Sequence, residues 1–301
     1  MSKKVLITGY SGFIGKAVID ELIDKEYEIV GIYNKNKLPE RTRITQVQLD
    51  LFDFTKVNDF FSSNNFENLI HLAWYLGPKC HSDNINMQWV YTSLYLFDQF
   101  YKNGGRKILC NGTVSEYNFS YGYLSENLTP LTNKSLHGNC KANLFKIVSS
   151  FCEKNQIDFK WARVFNLYGP NEKSSRLMPY VINSMLKNED VKVSDCLKIQ
   201  DYLHVFDTAS GIVDLFESKV NGAVNICSGV PIKLRDIVEK IAEMTSFKGN
   251  ILWGAIPTSF DDPFIVGNNR KLVEDVGWQQ KINLNEGLKL TIDWWKNKNV
   301  Q

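Results

Sequence analysis

The sequence predicts an α/β protein: a doubly wound parallel sheet with a smaller mixed C-terminal lobe. Three observations carry this expectation. Short runs rich in Val, Ile and Leu alternate with longer helical patterns through the first half, as in strands buried on both faces and joined by helical crossovers. The glycine-rich stretch ITGYSGFIG joins the first of these runs to the first helix-like segment. After NLYGP the alternation becomes irregular and short segments replace it, which marks the second lobe.

Taken in order, Lys4–Thr8, Tyr27–Tyr33, Thr45–Leu49, Asn68–Leu72 and Lys107–Cys110 read as strands. Phe13–Asp24, Thr55–Phe61, Asn84–Tyr101 and Leu136–Lys154 read as helices. Phe159–Val164 is a further strand, Val224–Cys227 a last one, and IKLRDIVEKIAEMT a helix beyond it. The first domain is expected over 1–168 with a returning segment near 200–227, and the second over 169–199 and 228–301. No repeat, low-complexity tract or linker separates them, so the lobes are expected to pack as one unit.

Composition narrows the function classes. With 301 residues, 44% apolar and 23% charged, the chain can bury a substantial core and is not of disordered type. A formal net charge of +2, with bases scattered among acids, leaves no footprint for nucleic acid. Cys80, Cys110, Cys140, Cys152, Cys196 and Cys227 form no CxxC and no Cys/His metal spacing. They read as buried free thiols in a reducing compartment, and no metal site is expected. The run KKVLITG starts almost at Met1, which leaves no room for a secretory signal, and no apolar run is long enough to span a bilayer. A cytoplasmic location without membrane contact is expected.

In ITGYSGFIG, Gly9 allows a tight turn, Gly12 lets backbone approach a phosphate, and Gly15 lets the helix pack closely on the sheet. The helix N-terminus adds unpaired N–H groups and a positive dipole end. At a first strand–helix junction this pattern points to dinucleotide binding by Gly9, Ser11, Gly12, Phe13, Ile14 and Gly15. A carboxylate closing the second strand would hold the ribose 2′-hydroxyl of NAD and repel a 2′-phosphate. Here the run is Tyr33-Asn34-Lys35-Asn36-Lys37, without an acid and with Arg41 soon after, which favours NADP(H) over NAD(H) through Asn34 and Lys35.

The spacing TGxxGxxG is followed by DLFD at Asp50, HLAW at His71, GTVSEY at Gly112, HGNCK at His137, RVFNLYGP at Arg163, QDYLHVFD at Gln200 and RKLVEDVGW near Arg270. In this order these motifs resemble the extended short-chain dehydrogenase/reductase family, of the NAD-dependent epimerase/dehydratase type that acts on nucleotide-linked sugars. The resemblance covers almost the whole chain and implies a Rossmann fold. Within the family the run is most similar to reductases of nucleotide-linked 4-keto-6-deoxysugars. It implies that Asp50 hydrogen-bonds the adenine, with Leu51 beside it, and that Leu72 and Ala73 line the cofactor channel. It further implies that RKLVEDVGW is the closing helix and that Asn84–Tyr101 and Leu136–Lys154 form a homodimer surface.

The resemblance places Thr113 where the family has a Ser or Thr that binds the sugar carbonyl or alkoxide. The family's YxxxK stands here as His137-Gly138-Asn139-Cys140-Lys141. Lys141 is in place, implied to bind the nicotinamide ribose, while the tyrosine is replaced by His137. Four residues apart, the two share one helix face. Reducing a ketone needs a hydride from the nicotinamide and a proton at the developing alkoxide. An imidazole, with a reference pKa of about 6.5, can deliver that proton. Lys141 and burial both disfavour imidazolium, so a neutral ring donating through one N–H is expected. Delivery by a water, by Thr113 or by a phenol of Tyr117, Tyr121 or Tyr123 stays open.

Members that dehydrate the sugar carry Asp-Glu after the Thr, where this chain has Val114 and Ser115. Members that epimerise beside the ketone use a Cys in that segment and a His after YGP, where Ser115 and Asn171 stand. A redox site alone remains. Asn166 matches a residue that contacts the substrate diphosphate, and Trp74 and Tyr75, which follow HLA, either pack against the sugar or line the core. Gln200 replaces an arginine that commonly grips a phosphate, and a second expected arginine is missing from IPTSFDDPF, so weaker diphosphate affinity is expected unless Lys173 or Arg176 compensates. The expected activity is NAD(P)H-dependent reduction of a nucleotide-linked 4-keto-6-deoxysugar for surface-polysaccharide synthesis. Its rivals are a 4-epimerase with tightly bound NAD and a cofactor-binding protein with a degenerate site.

Overall fold

The computed structural model describes residues 3–132, 134–257 and 263–300. Seven strands form the central sheet in the order Gly222–Ile226, Asp158–Val164, Lys107–Thr113, Asn68–His71, Lys4–Thr8, Glu28–Tyr33, Ile44–Gln48. Every neighbouring pair is parallel. From Lys4–Thr8 the chain winds first toward Ile44–Gln48 and then, from Asn68–His71, the other way. The topological switch therefore lies between Lys4–Thr8 and Asn68–His71, and the crevice beyond their C-terminal ends is where such sheets take ligands.

Burial explains why these runs became strands. The last four residues of Lys4–Thr8 and the last six of Asp158–Val164 are buried, as expected for strands covered on both faces. One core layer sits under the helices Phe13–Asp24 and Val205–Glu217, the other under Phe54–Ser62, Ile85–Lys102 and Leu136–Lys154. The strand starting at Lys107 runs three residues past its expected end at Cys110. Pairing with Asp158–Val164 continues to Thr113 opposite Val164, which makes Thr113 the last residue of its strand.

A second sheet joins Pro231–Lys233, Ile199–His204, Phe264–Gly267 and Tyr123–Leu124, and Asn166–Tyr168 pairs with Ile199–His204. It is mixed, with one antiparallel pair among parallel ones. The helices Leu177–Leu186, Leu234–Thr245 and Leu284–Val300 enclose a third core beside it. One expectation is corrected here. RKLVEDVGW is not the closing helix; it contributes a single five-residue turn of π-helix, Lys271–Asp275, and Leu284–Val300 closes the chain. The turn stops where Gly277 takes φ +84° and Trp278 plugs inward, its indole N–H donating to Ser210 Oγ at 2.9 Å. All six cysteines are buried and free. No helix among the described residues is long and apolar enough to cross a membrane.

Candidate active site

The glycine turn is shaped by what lies against it. Gly9 has φ +74°, and a Cβ there would fall 2.6 Å from Ala73 N and 2.8 Å from the Leu72 carbonyl carbon. The turn after the first strand thus touches the end of Asn68–His71, which brings Leu72 and Ala73, both half-buried, beside it. A Cβ on Gly15 would fall 2.3 Å from Gly9 O, so the helix sits directly on the turn. Gly12 starts that helix in extended conformation without a side-chain cap, and its absent Cβ would meet only Gly9 O, at 3.1 Å. Ser11, Phe13 and Ile14 are half-buried around it. An uncapped helix start with open space before it fits a pyrophosphate.

His71 and Tyr10 brace this region, and the sequence reading assigned a role to neither. His71, fully buried, bridges Thr8 Oγ1 at 2.7 Å and Ser93 Oγ at 2.9 Å, tying two strands to helix Ile85–Lys102. Burial, then the Lys141 charge, pulls its pKa down to about 3, so the ring is neutral. Tyr10 packs over Gly31 and donates to Gln46 at 2.5 Å, and Gln46 is bonded to both backbone groups of Leu38. This ties the loop after the second strand to the glycine turn. Asn34 and Lys35 stand exposed at the start of that loop, while Lys37 pairs with Glu40 and Arg41 with Asp20. Asp50 is half-buried and accepts from Phe52 N at 3.0 Å; Leu51 is buried.

At the far end of the crevice Thr113 caps the turn Val114–Glu116, its hydroxyl accepting from Ser115 N at 3.2 Å. Its own N–H donates to Glu116 Oε1 at 2.8 Å. Glu116 is wholly buried and also accepts from Trp161 Nε1 at 2.9 Å and Arg163 Nε at 2.7 Å. Arg163 continues to the Tyr117 hydroxyl at 3.1 Å, which donates to Asn225 Oδ1 at 2.7 Å. Tyr117 is therefore held inside this network, and burial raises its pKa further. Tyr121 and Tyr123 lie more than half exposed, next to Phe264 and Val266 of the second sheet.

Ser135 caps helix Leu136–Lys154 by accepting from Gly138 N at 3.0 Å, and the first turns bury both His137 and Lys141. Lys141 Nζ donates to Asn111 O at 2.6 Å, two residues before Thr113, and lies 3.8 Å from the Trp74 ring centroid. Burial lowers its pKa. The Trp74 indole meets the His137 imidazole edge-on at 6.1 Å, and His137 Nδ1 lies 3.1 Å from Asn86 Oδ1. Burial first, then the charges of Lys141 and His81, brings the His137 pKa down to about 3. Trp74, His137 and Lys141 thus form one cluster, tied through Asn111 to the strand that ends at Thr113, with a neutral imidazole and a cation stacked on an indole.

The second lobe faces this cluster. Half-buried Asn166 donates to Asp201 O at 3.3 Å, and Gln200 accepts from Tyr202 at 3.4 Å. Lys173 reaches Leu76 O at 2.8 Å, linking the loop after YGP to the loop after HLAW. Arg176 is exposed immediately before helix Leu177–Leu186, and its charge depresses the pKa of His81 after burial has done so. Glu172, unremarked in the sequence, has one carboxyl oxygen buried without a partner; burial, opposed by Arg176, pushes its pKa up to about 8. Residues 258–262 of the stretch expected to hold a second arginine lie outside the described residues.

Sheet, glycine turn and strand-end cluster together define a dinucleotide-binding α/β protein of the extended short-chain dehydrogenase/reductase class. The NAD dependent epimerase/dehydratase family model matches residues 5–227, and the chain belongs to that family. It is 23% identical over 303 residues to CDP-abequose synthase of Salmonella muenchen, covering 96% of this chain and 97% of the relative. It is likewise 23% identical over 312 residues to dTDP-4-dehydro-6-deoxyglucose reductase of Escherichia coli, covering 94% and 95%. Its fold is similar to UDP-glucose 4-epimerase of Thermotoga maritima solved with UDP-glucose, with a TM-score of 0.89 at 22% identity over 99% of this chain and 100% of the other.

Proposed function

We propose that this chain is an NAD(P)H-dependent reductase of a nucleotide-linked 4-keto-6-deoxysugar. The observation that carries this reading is that Lys141 and His137 both meet Trp74, which follows the Ala73 that lies against Gly9, while Lys141 also holds Asn111 two residues before Thr113. Val114 and Ser115 stand where dehydration would need an acid and a base. The named activity of the E. coli relative supports the substrate class. Gly9, Gly12 and Gly15 hold the pyrophosphate at the helix start, and Leu72, Ala73 and Asp50 flank the rest of the dinucleotide. Bound there, the dinucleotide supplies the hydride. Thr113 donates its hydroxyl proton in a hydrogen bond to the sugar oxygen, His137 exchanges a proton with that oxygen, and Lys141 fixes the ribose side and adds positive potential. Trp74 covers the sugar, while Asn166 and Arg176 take the diphosphate side.

With a panel of keto-sugar nucleotides, turnover with NADPH is the expected result. Replacing His137 with Ala or Gln should lower kcat by about 100-fold or more with folding intact. A variant as fast as the parent would move the proton exchange to another group.

A 4-epimerase holding NAD is the second reading. Two observations favour it: the fold likeness to a UDP-glucose 4-epimerase, and the pairing of Lys37 and Arg41 with acids. Of the two lysines in the run Asn34–Lys37, that pairing leaves Lys35 as the one without an ion pair among the described residues. Exchangeable NADP(H) on the purified protein supports the reductase, and stoichiometric NAD the epimerase. Lys35→Glu should weaken NADPH binding about tenfold and leave NADH binding little changed; equal effects on both would remove the basis for NADP preference. The dimer surface is proposed along Ile85–Lys102 and Leu136–Lys154, where Met87, Tyr91 and Ile147 are exposed. A monomer at micromolar concentration by light scattering would refute it.

A further inference from the structure

The hydrogen bonds around Asn86 fix something the resemblance does not supply, namely which nitrogen of His137 carries the proton. Asn86 is fully buried at the start of helix Ile85–Lys102. Its Nδ2 donates to two backbone carbonyls, Cys80 O and Asp83 O, both at 2.7 Å. Its Oδ1 accepts from Trp74 Nε1 at 2.9 Å. Carbonyls only accept and an indole N–H only donates, so the amide cannot be turned round. The group 3.1 Å from that Oδ1 is His137 Nδ1, which must then be the N–H. Nε2 has no hydrogen-bond partner among the described residues and is not sealed from solvent, so it is open to a ligand.

We infer that Asn86 is a positioning residue that holds His137 as the Nδ1–H tautomer, leaving the Nε2 lone pair as the proton acceptor for a sugar hydroxyl. Resting on the proposed function, this sets the ready state of the site for the oxidising half of the reaction. In that direction a bound oxidised nicotinamide dinucleotide would take up the hydride from the sugar carbon, and the part of this chain is to accept the O–H proton on Nε2 as the C–O bond becomes C=O. The ring becomes imidazolium, its Nδ1–H still on Asn86. Reduction runs the same groups backwards and must first take a proton from solvent onto Nε2.

The charges around the ring favour the bare nitrogen. Lys141 faces it from its own helix, and His81 packs edge-on at 5.8 Å from the loop after HLAW, with Arg176 acting on His81 from across the crevice. The nearby carboxylate Asp83 is turned to Ile85 N at 2.9 Å. Cys140 on the same helix, held neutral by a burial-raised pKa, adds no charge. Burial first, with Lys141 and then His81 adding to it, is what pulls the imidazole down to about 3.

The test is nitrogen NMR of the whole protein labelled with 15N-histidine, with His137 assigned through His137→Gln among the four histidines. The expected spectrum shows Nδ1 protonated and Nε2 bare from about pH 8 down to pH 5. An Nε2–H tautomer, or imidazolium at neutral pH, would overturn the inference. Asn86→Asp keeps the acceptor and should keep the tautomer while raising the pH at which the ring protonates. Asn86→Leu removes it and should let Nε2 carry the proton; an unaltered tautomer in that variant also overturns the inference. In kinetics, kcat/KM for reduction should fall about tenfold per pH unit across the whole range from about pH 5 to pH 8 while oxidation stays level, and Asn86→Asp should shift the falling limb upward. A reduction profile that does not fall overturns it too. If the tautomer is as stated and no nucleotide sugar reacts, the proposed function fails and the inference stands.

Discussion

Glu116→Ala is expected to lower stability by about 3–5 kcal/mol, because it strands a buried guanidinium rather than removing a surface charge. Glu116 is 0% exposed and Arg163 1%. The carboxylate is the only acid bonded to Arg163 among the described residues, and Arg163 Nη2 already lacks a partner. Trp161 Nε1 and Thr113 N would lose their acceptor in the same step. Replacing both members with apolar residues, Glu116→Leu with Arg163→Met, should be less costly than Glu116→Ala alone, since no uncompensated charge remains. Chemical unfolding of the two variants measures the difference. If the single variant unfolds no earlier than the double, Arg163 has another means of compensation and the buried-pair argument fails. The substitution also reaches the chemistry: the Thr113 N–H bond to Glu116 holds the turn that aims the Thr113 hydroxyl, so turnover should fall at temperatures where the variant is still folded.

Glu116 also shows where the sequence stops being informative. GTVSEY could be matched to a family segment, and Thr113, Val114 and Ser115 received meaning from it. Glu116 then read as one more charge in a turn, because its partners Trp161 and Arg163 lie some 45 residues away on the adjacent strand, in register only once the sheet exists. Local patterns were readable for a related reason. Lys4–Thr8, Phe13–Asp24 and Leu136–Lys154 keep their expected bounds because glycine, a capping serine and runs of one periodicity define them within the segment itself. RKLVEDVGW misled because two of its apolar residues, Leu272 and Trp278, reach the core through a tight turn rather than along a helix face. At the site, His137 and Lys141 were visible from spacing, but Asn86 was not. A polar residue near a helix start has no signature that says its amide will be pinned by Cys80 and Asp83 and will face an imidazole 51 positions on.

The glycine turn makes the last prediction, which separates a structural glycine from a ligand-facing one. Gly9→Ala must place a Cβ 2.6 Å from Ala73 N at φ +74°, a conformation that alone costs about 1–3 kcal/mol for a residue with a side chain. The atoms it meets, in Leu72 and Ala73, are backbone and cannot swing away, so the ends of Lys4–Thr8 and Asn68–His71 must separate. That separation displaces Leu72 and Ala73 and withdraws Thr8 Oγ1 from His71, where it lies at 2.7 Å. Both stability and dinucleotide affinity should fall, the affinity by about 100-fold. Gly12→Ala meets only Gly9 O at 3.1 Å, with negative φ, so the protein should remain close to parental stability. Its methyl group would nevertheless stand before the helix N-terminus where a pyrophosphate must approach. Thermal unfolding alongside dinucleotide titration reads the contrast: Gly9→Ala loses both properties and Gly12→Ala loses binding alone. Parental affinity in Gly12→Ala would place the phosphates elsewhere than at this helix start.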